Sequence, residues 1–505
     1  MRIAPAALSL AAAWSLLQPL SAQAAPYWAT TGRNAQHTAL GDVAAQPLTR
    51  ILWKMRVDRH PQYTSRGSLL AHYGSPLITE AHTVIVPVKV GISGKFRVLA
   101  VRGLDGRRVW SRRSDYVAPP HSWMPTFSPV LSPSGLLWMP AAGGTLLTRT
   151  SADDRQGVFE RVAHYGVDSW LTDKAAFRDT VFISTPLTAA PSGDVYYGVE
   201  TSGMPPSDVE NALVRMTASG KSWTVTPLSM TGDPAMTQIL GNSAPALSPD
   251  GSRLYVAVSD GRNGYLVALD SQSLETVTKV RLVDPSSAID AWLNDNGTAA
   301  PMIGPDGDVY FGVLEQLFGW NHGRGWLMHY DADLQPKGFV GAFGWDDTPS
   351  VVPAHVVPSY AGSSPYLILT KYNDYATAGG DGAHRIAILD PNAAMRDPVS
   401  GMDVMAEVLT ALSPTPDYDL TPRYPKALRE WCINTAAVDP VTRSALVNNE
   451  DGRLYRWDLT SGELVESIEL NGGLGQGYTP TLLGPDGTVY AINDATLFAI
   501  GDRDR

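Results

Sequence analysis

Cysteine is almost absent from this sequence: among 505 residues there is one, Cys432. A single thiol can form neither an intrachain disulfide nor a thiolate cluster for zinc. The sequence also contains no Cys-x-x-Cys-His motif for haem attachment. The folded chain must therefore be stabilised by the burial of apolar groups and by backbone pairing.

Basic residues are scarce as well. Lys and Arg total 39 against 50 Asp and Glu, which gives a formal net charge of −11. Binding to nucleic acid or to an anionic membrane needs clustered positive charge, so neither is expected here. The catalytic motifs Gly-x-Ser-x-Gly and His-Glu-x-x-His and a phosphate-binding loop are also missing. Any catalytic site must therefore be inferred from the placement of residues rather than from a motif.

Only the N-terminus contains a long apolar run. Arg2 precedes an apolar stretch from Ile3 to about Leu20, and Ala22-Gln23-Ala24 then supplies a small-x-small cleavage pattern. Two prolines interrupt the stretch, which argues against the alternative of a membrane anchor. We expect residues 1–24 to be a signal peptide whose removal leaves a secreted or periplasmic protein without a membrane span.

The sequence does contain a repeat. A small residue followed by proline opens a short apolar strand at intervals of mostly about 45 to 60 residues, as in the four-stranded blades of a β-propeller. A degenerate copy, Thr435-Ala436, lies in the one large gap. The other starts are Ser75-Pro76, Ser128-Pro129, Thr185-Pro186, Ala244-Pro245, Ala300-Pro301, Thr348-Pro349 and Thr479-Pro480.

Each repeat continues in the same order. The first strand ends in a turn such as Ser248-Pro249-Asp250-Gly251, in which Pro presets φ and Gly accepts a positive φ. A β-branched and aromatic strand such as Leu254–Ala257 follows, and then a third strand that often ends in Asp, as at Leu266–Asp270. Eight copies predict an all-β, eight-bladed β-propeller. A seven-bladed ring, with the Thr435 copy merged into its neighbour, is the alternative.

The two chain ends indicate how the ring closes. The last repeat ends after three strands, at Ile500, and Ile51–Val57 is a spare strand near the N-terminus. Pairing of the spare strand as the outer strand of the final blade would close the ring and cover exposed edges. We expect residues 25–505 to form one propeller domain. Within it, residues 391–429 lengthen the sixth repeat, and their prolines indicate an irregular insertion that is either a lid or a brace.

The repeat of Pro-apolar strand, Pro-Asp-Gly turn, Val-Tyr strand, apolar-Asp strand and Gly-x-x-x-Trp resembles the quinoprotein-like (PQQ-like) β-propeller superfamily. The opening segment Tyr27–Asn34 is similar to segments that precede such propellers. The resemblance covers nearly all of the mature chain. It concerns the fold, because this scaffold carries dehydrogenases, assembly factors and other enzymes.

Quinone-dependent dehydrogenases of that superfamily typically hold PQQ between a Trp and a disulfide of adjacent cysteines, beside a Ca²⁺ ion. With Cys432 alone, that disulfide cannot form. PQQ is therefore not expected as a cofactor, and the resemblance is expected to report blade geometry only. A quinone-dependent dehydrogenase stays the second alternative function.

Loops between the second and third strands share one face of a propeller with the loops between blades. In this sequence those loops are long and rich in His, Trp, Asn and acids, whereas the Pro-Asp-Gly turns of the opposite face are short. Loops displayed by a rigid scaffold carry function, so we expect a funnel-shaped site over the central channel, built mainly by blades five to seven. The candidate catalytic residues are His322, Asp346, Lys371, Asp374, His384 and Glu450; the candidate substrate-binding residues are Trp320, Asn321, Trp326, Trp345, Tyr372, Trp431 and Tyr478.

The residue types suggest roles for some of these side chains. His322 is a candidate for general acid–base catalysis, a role that histidine side chains often have in enzymes. Of the adjacent Asp346 and Asp347, only one is expected to face the funnel, because successive side chains of an extended chain point in opposite directions. A Lys371 or Tyr372 base with a carboxylate neutraliser would suit β-elimination from a uronic acid. Each group also has a structural interpretation, as a turn cap or a solvated ion pair.

Asn448–Gly452 brings several oxygen ligands together in one short loop, which suits Ca²⁺. The spacing differs from that of an EF-hand, and Asn, Asp and Gly also form ordinary turns. Ca²⁺ is therefore one of two interpretations of this loop, no cofactor is certain, and no metal ligands are assigned.

Aromatic faces beside amides and acids suit a sugar or another polar ring. The first functional hypothesis is an exported enzyme that acts on an extracellular carbohydrate or similar polar ring compound by hydrolysis or β-elimination. It would act as a monomer on a small-molecule or oligosaccharide substrate. The alternative is a non-catalytic binding or assembly propeller, for which blander loops with an apolar patch or an exposed strand edge would suffice.

The signal-peptide interpretation predicts that exported protein begins near Ala25, because small residues at positions 22 and 24 suit cleavage. Intact-mass measurement or N-terminal sequencing of exported material should find this start. Recovery of protein that retains Met1 in a membrane fraction would contradict both the signal peptide and the soluble mature chain.

Overall fold

The computed structural model describes residues 26–502 except positions 66, 68, 93, 122, 124, 126, 294–296, 298 and 473. The expected signal peptide lies outside these residues. The described chain forms eight antiparallel sheets, arranged as an eight-bladed β-propeller. The predicted architecture is confirmed and the seven-bladed alternative is wrong, because the degenerate copy at Thr435 begins a blade of its own.

The first four blades follow the repeats in chain order. Blade one contains Leu77–Thr79, Thr83–Gly91, Gly94–Arg102 and Arg108–Ser114, and blade two contains Val130–Leu131, Leu137–Pro140, Leu146–Arg149 and Phe159–Val162. Blade three contains Val181–Ile183, Thr188–Ala189, Val195–Thr201, Ala212–Met216 and Ser222–Val225, and blade four contains Gln238–Ile239, Ala246–Leu247, Arg253–Ser259, Gly264–Asp270 and Thr276–Arg281.

The last four blades have the same antiparallel order. Blade five contains Met302–Ile303, Val309–Val313 and Trp326–Tyr330, and blade six contains Ser350–Pro353, Tyr366–Tyr372, Arg385–Arg396 and Asp403–Leu412. Blade seven contains Ala437–Asp439, Ser444–Asn448, Arg453–Asp458 and Leu464–Glu469, and blade eight contains Leu482–Leu483, Val489–Asn493 and Thr496–Gly501. Short α-helices span Val167–Thr172, Lys174–Thr180 and Pro227–Thr231, and 3₁₀ turns span Ala142–Gly144, Pro206–Asp208, Ala354–Val356 and Ala376–Ala378.

The ring closes as predicted. Arg50–Arg56 pairs antiparallel with Thr496–Gly501 and forms the outer strand of blade eight. The two ends of the chain therefore share one sheet, and the hydrogen bonds of that sheet hold the ring shut without a covalent link.

The segment that precedes this strand contacts every blade, and we call residues 26–46 the N-terminal strap. Pro26–Trp28 pairs with the first strand of blade one. The strap then bonds to one blade after another in ring order. Its contacts are Ala29 O with Leu131 N, Thr30 Oγ1 with Leu187 O, Ala35 O with Leu247 N, Gln36 O with Ile303 N, Thr38 O with Val351 N, Ala39 O with Val438 N, and Gln46 N with Gly487 O.

Three of these partners, Leu131, Leu247 and Ile303, end a first strand, where the chain enters the short turns, and Gly487 lies in such a turn. The strap therefore follows the inner rim of the propeller on the turn face. His37 is fully buried within it, its Nδ1 lies 2.7 Å from Pro301 O, and burial lowers its pKa to about 4. The strap occupies the turn-side end of the channel, which leaves the opposite face, the loop face, for a ligand.

Tyrosines of the second strands brace neighbouring blades. The hydroxyl of Tyr196 donates to Ser271 O in the next blade at 2.7 Å, and that of Tyr255 donates to Ala332 O at 2.9 Å. The Tyr490 hydroxyl lies 2.7 Å from His82 Nε2 across the junction of blades eight and one. These rings are buried and their hydroxyls have partners, so the Val-Tyr strand of the repeat both packs the core and sets the blade spacing.

Residues 391–429 are more regular than expected. Up to Leu412 they continue the third and fourth strands of blade six as a long hairpin, with a bulge between Asp390 and Ala394. Met405 N donates to Val340 O, so the hairpin extension lies on blade five. Only residues 413–429 consist of turns, with one bridge between Pro416 and Leu428. Pro398 lies in the turn of the hairpin, and Pro414, Pro416, Pro422 and Pro425 lie in the irregular part, so these prolines do not oppose the strand pairing.

The strap contact can be tested with two glycines in identical Gly-Pro-Asp-Gly turns. Gly487 and Gly307 both have positive φ, but a Cβ on Gly487 would lie 2.1 Å from Ala44 O of the strap, whereas one on Gly307 would meet only the Ala332 side chain at 3.9 Å. Each alanine variant should lose about 1–2 kcal/mol from left-handed backbone strain. Gly487→Ala should lose about 1–3 kcal/mol more from the clash. Urea unfolding measures both losses, and equal losses would contradict the strap.

Candidate functional site

The loop from Gly319 to Trp326 in blade five is held together by one carboxylate. Glu315 is fully buried and accepts hydrogen bonds from the backbone N–H groups of Gly319, Gly323 and Gly325 at 3.2, 2.7 and 2.8 Å. Backbone donors are strong partners for a buried carboxylate. The glycines of this loop therefore serve its folding, in addition to any approach of a ligand.

Asn321 has its polar atoms engaged within the protein. Its Nδ2 donates to Gly325 O at 2.8 Å, and its Oδ1 accepts from Arg324 at 2.6 Å. Arg324 in turn forms a buried ion pair with Asp397 of the hairpin extension at 2.6 Å. Asn321 is only 1% exposed. The structure thus places this substrate-binding candidate in a brace between blades five and six.

His322, Asp374 and His384 lie together. Asp374 Oδ1 is 2.6 Å from His322 Nδ1, and Asp374 Oδ2 accepts from Asp381 N at 3.1 Å. His384 Nδ1 accepts from Asp374 N at 3.2 Å, and burial lowers the pKa of His384 to about 4. His384 is therefore a neutral acceptor near pH 7. His322 has a positive φ of 57°, a conformation that is uncommon for a non-glycine residue and occurs often in functional loops.

A second group surrounds Lys371, and we call it the Lys371 cluster: Asp346, Asp347, Lys371, Tyr375, Glu430, Cys432, Glu450 and Tyr478. The Lys371 side chain is 3% exposed, and its Nζ lies 3.7 Å from Asp346 Oδ2 and 5.8 Å from the centre of the Phe343 ring. Burial acts to lower the pKa of Lys371, but the neighbouring Asp346 and Asp347 carboxylates outweigh it and raise that pKa. Lys371 is therefore an ammonium that is balanced by acids.

The adjacent aspartates have different surroundings. Asp346 keeps some exposure and has a positive φ of 54°. With Trp345 and Trp292 it lines a cleft whose 320 Å³ of empty space includes open solvent. Asp347 is buried and accepts hydrogen bonds from the Thr370 hydroxyl and from Lys371 N. Burial raises the pKa of Asp347 to about 7. Asp346 is thus the member of the pair that reaches the open space.

Glu430 and Glu450 lie on the blade-seven side of the Lys371 cluster. Burial raises the pKa of Glu430 to about 7, although the positive charge of Lys371 acts to lower it. Burial also raises the pKa of Glu450 to about 8, and the neighbouring Glu430 contributes to this increase. Glu450 Oε1 accepts from Glu430 N at 2.9 Å, and Arg429 lies 3.9 Å from it. The pKa values of these two neighbouring carboxyl groups are therefore both raised towards neutral pH, and perturbed pKa values of this kind are typical of functional sites.

Three weak acids complete the cluster. Burial raises the pKa of Tyr375, Cys432 and Tyr478 well above their ordinary values, with Glu430 as a further cause in each case. Tyr375 also contacts His384, with ring centroids 5.4 Å apart, and so joins the His322 group to the Lys371 cluster. All three groups stay protonated at neutral pH and can donate but not act as bases.

Aromatic rings cover the centre of the loop face. Tyr478 lies 5.5 Å from His72 and 5.8 Å from Trp123, and His72 stacks on Trp123 at 5.4 Å. Tyr478 also lines the central opening with Asn242 and Asn434. Tyr478, a substrate-binding candidate from the sequence, therefore lies both in the Lys371 cluster and at the central opening.

The structure does not bring all candidates to the funnel. Trp326, Trp431 and Tyr372 are buried in the blades, at 0%, 0% and 5% exposure, and Trp320 is 69% exposed at the rim. The residues that come together are Asp346, Lys371, Glu450, Trp345 and Tyr478 around the Lys371 cluster, and His322, Asp374 and His384 beside it. The sequence-based candidates omitted Asp347, Tyr375, Glu430 and Cys432. One feature of the sequence could have indicated Glu430: it precedes Trp431 in a loop between blades, which connectivity places on the loop face.

The oxygen atoms offered for Ca²⁺ have protein partners. Asn448 Oδ1 accepts from Asn493 at 2.8 Å, and Asn449 Oδ1 accepts from Asp451 N at 2.9 Å. Asp451 Oδ2 accepts from the hydroxyls of Thr415 and Tyr455 at 2.6 Å each. Among the described residues, no group of three or more His, Cys, Asp and Glu side chains is arranged to hold a metal ion. The geometry of this loop favours the turn interpretation.

Comparisons with known proteins identify the fold. No family model matches the chain, and no curated protein matches it. Among solved structures, a europium-containing methanol dehydrogenase superposes with a TM-score of 0.53 at 11% identity, over 93% of this chain and 90% of that one. A quinohemoprotein alcohol dehydrogenase from Comamonas testosteroni gives 0.49 at 12% identity, over 96% and 82%, and BamB from Moraxella catarrhalis gives 0.45 at 11%, over 90% and 99%.

At these identities the likeness shows the fold alone, and the expected fold-level resemblance to quinoprotein-like propellers is confirmed. The funnel does not fit PQQ, which is a planar polyanion. The Lys371 ammonium is already paired with Asp346, and Asp347 and Glu430 lie beside it, so it is not available to bind an anionic ring. Cys432, the single thiol, cannot form a disulfide beneath such a ring. No helix within the described part of the chain has the length and apolar character needed to cross a membrane.

The raised pKa of Glu450 predicts how stability depends on pH. Between about pH 4.5 and 8 the folded protein binds a proton there that the unfolded chain has released, so the free energy of unfolding falls as pH rises through this range. Glu450→Gln stays neutral and can still accept from Glu430 N. At pH 8 the variant should be more stable than wild type, on the order of 2 kcal/mol, and the gain should vanish near pH 4.

Thermal unfolding across pH 4–8 measures this effect, with the exposed Glu463→Gln as a control of equal chemistry. A Glu450→Gln variant that is destabilised at every pH would show that the ionised carboxylate stabilises the fold, contrary to this assignment.

Proposed function

We propose that this protein is an exported enzyme that hydrolyses a glycosidic bond of a carbohydrate, or a similar bond of a polar ring compound, in the funnel of the loop face. The observation that carries the proposal is the Lys371 cluster, in which Asp346 and Glu430 flank one buried ammonium beside an aromatic-lined cavity. Two carboxyl groups with different surroundings are the usual requirement of glycoside hydrolysis.

The two carboxyl groups suit different roles. Glu430, with a pKa of about 7, is protonated in a large fraction of molecules at neutral pH and suits the general acid that protonates a leaving oxygen. Asp346 is paired with the Lys371 ammonium and lines the cavity, which suits the base or nucleophile. Lys371 acts as a positioning residue, since its charge holds Asp346 and affects Glu430.

Hydrolysis fits these groups better than β-elimination. The acids that raise the pKa of Lys371 keep it protonated, so it does not serve as a base. The phenols of Tyr375 and Tyr478 also stay protonated, because burial raises the pKa of each well above its ordinary value. Elimination from a uronic acid also requires a cation that is free to neutralise the substrate carboxylate, and Lys371 already has carboxylate partners.

The alternative of a binding or assembly propeller is favoured by one observation. Leu317, Phe318 and Trp320 are neighbours on the rim, and they are 42%, 59% and 69% exposed. Adjacent exposed apolar side chains on a braced loop are typical of protein contacts. This patch lies outside the Lys371 cluster, so replacing Trp320 with Ser separates the two functions: it should impair partner binding without affecting turnover.

The proposal predicts that Glu430→Gln and Asp346→Asn each lower kcat/KM about 10²-fold or more, because each removes a proton-transfer group. Activity of the wild type should fall as pH rises through about 7, where Glu430 loses its proton, and Glu430→Gln should lack this decline. The assay is the release of reducing ends from a panel of soluble glycans. Asp333→Asn, an exposed change on the turn face, is the control and should retain full activity.

Folded variants with unchanged kcat/KM would contradict the acid–base assignment, as would the absence of cleavage of every glycan by the wild type. Thermal unfolding of each variant distinguishes loss of catalysis from loss of folding.

A further inference from the structure

A second cavity lies on the loop face over blades two to four. It is an open cleft, and the 470 Å³ of empty space around it includes open solvent. None of the candidate residues inferred from the sequence lines it. Its walls include Pro119, Trp123, Ser184, Glu200, Gln238 and Asn242, and we call it the Trp123 pocket.

The Trp123 pocket adjoins the site around Asp346. Gly241 lines both this pocket and the cavity that contains Asp346. Asn242 lines both this pocket and the central opening beside Tyr478, whose ring contacts Trp123 at 5.8 Å. The three openings therefore lie side by side on the loop face, and we call them together the groove.

The lining of the pocket suits a sugar ring. Trp123 is half-buried and supplies an aromatic face. Glu200, Gln238 and Asn242 place polar side chains around the same space.

The charge of the groove restricts the kind of sugar. Among the described residues, no Lys or Arg lines any of its three openings, whereas Glu200 and Asp346 contribute carboxylates. Lys371, the nearest ammonium, is buried and paired with acids. A uronic acid, sulfate or phosphate group would bring a negative charge beside the carboxylates of Glu200 and Asp346, where none of the described lining residues is a Lys or Arg.

We propose that the Trp123 pocket is a substrate subsite for an uncharged sugar ring, so that the substrate is a neutral oligosaccharide that spans the groove from Trp123 to Asp346. The cleavage at Asp346 rests on the proposed function, whereas binding in the Trp123 pocket is independent of it. The pocket supplies affinity away from the bond that is broken and selects for chain length and against acidic sugars.

The test measures equilibrium binding by titration calorimetry on Asp346→Asn protein, which prevents turnover. The probes are cellotetraose, xylotetraose and chitotetraose, with tetragalacturonate and the matching monosaccharides as comparisons. At least one neutral tetrasaccharide should bind about tenfold or more tightly than its monosaccharide, and tetragalacturonate should not bind. Trp123→Ala should weaken tetrasaccharide binding about tenfold and remove the dependence on chain length.

Trp223→Ala is the matched control, because Trp223 is also half-buried but lies on the outer strand of blade three between Arg215 and Lys221. It should leave binding unchanged. The proposal is overturned if no neutral tetrasaccharide binds, if tetragalacturonate binds more tightly, or if Trp123→Ala binds like its parent. If binding depends on chain length but the wild type cleaves nothing, hydrolysis is refuted and the subsite is supported. If the wild type cleaves the tetrasaccharide and Trp123→Ala leaves KM unchanged, the subsite is refuted and hydrolysis is supported.

Discussion

Closure of the ring is the constraint on which the remaining structure depends. Eight sheets with no disulfide must pack face to face around a ring, and the bonds of Arg50–Arg56 to Thr496–Gly501 join the N-terminal part of the chain to the last sheet. Because the N-terminal strap bonds to every blade in order, it holds the inner strands at one spacing on the turn face. The strap thereby lies on the turn face of the ring, opposite the loop face that carries the Lys371 cluster.

The loops of that face owe their geometry to bonds between blades rather than to the strands. The side-chain amide of Asn373 in blade six bonds to both backbone groups of Trp431 in the next inter-blade loop, at 3.3 Å each. Glu450 bonds to Glu430 N in the same way. These contacts hold Glu430 and Cys432 beside Lys371. The cluster is therefore assembled only after neighbouring blades have packed, so its stability is linked to that of the ring.

Much of the fold could be predicted from the sequence, because each blade repeats the same local chemistry. Pro-Asp-Gly turns and Val-Tyr strands are local signals, and the missing fourth strand of the last repeat indicated the closing strand. The site was harder to predict. Connectivity predicted that Asp346 and Lys371 share one face, and the structure places them 3.7 Å apart. It did not predict that Asn321 is engaged by Arg324, whose own partner Asp397 is distant in sequence. Glu430 was missed because its importance comes from burial beside Lys371, which no local pattern reports.

The cost of burying charge determines which groups of the Lys371 cluster are ionised and which are protonated. An ammonium that is 3% exposed needs carboxylate partners, but Asp347, Glu430 and Glu450 outnumber it, so burial raises the pKa of each acid into the neutral range. The surplus acids therefore hold protons rather than charge. A site of this kind can supply a proton at pH 7 without a histidine, and it disfavours anionic ligands because binding one would add negative charge where the protein already suppresses it. The same electrostatic balance that keeps the Lys371 ammonium buried thus accounts for both the proton donor and the preference for uncharged ligands that we propose.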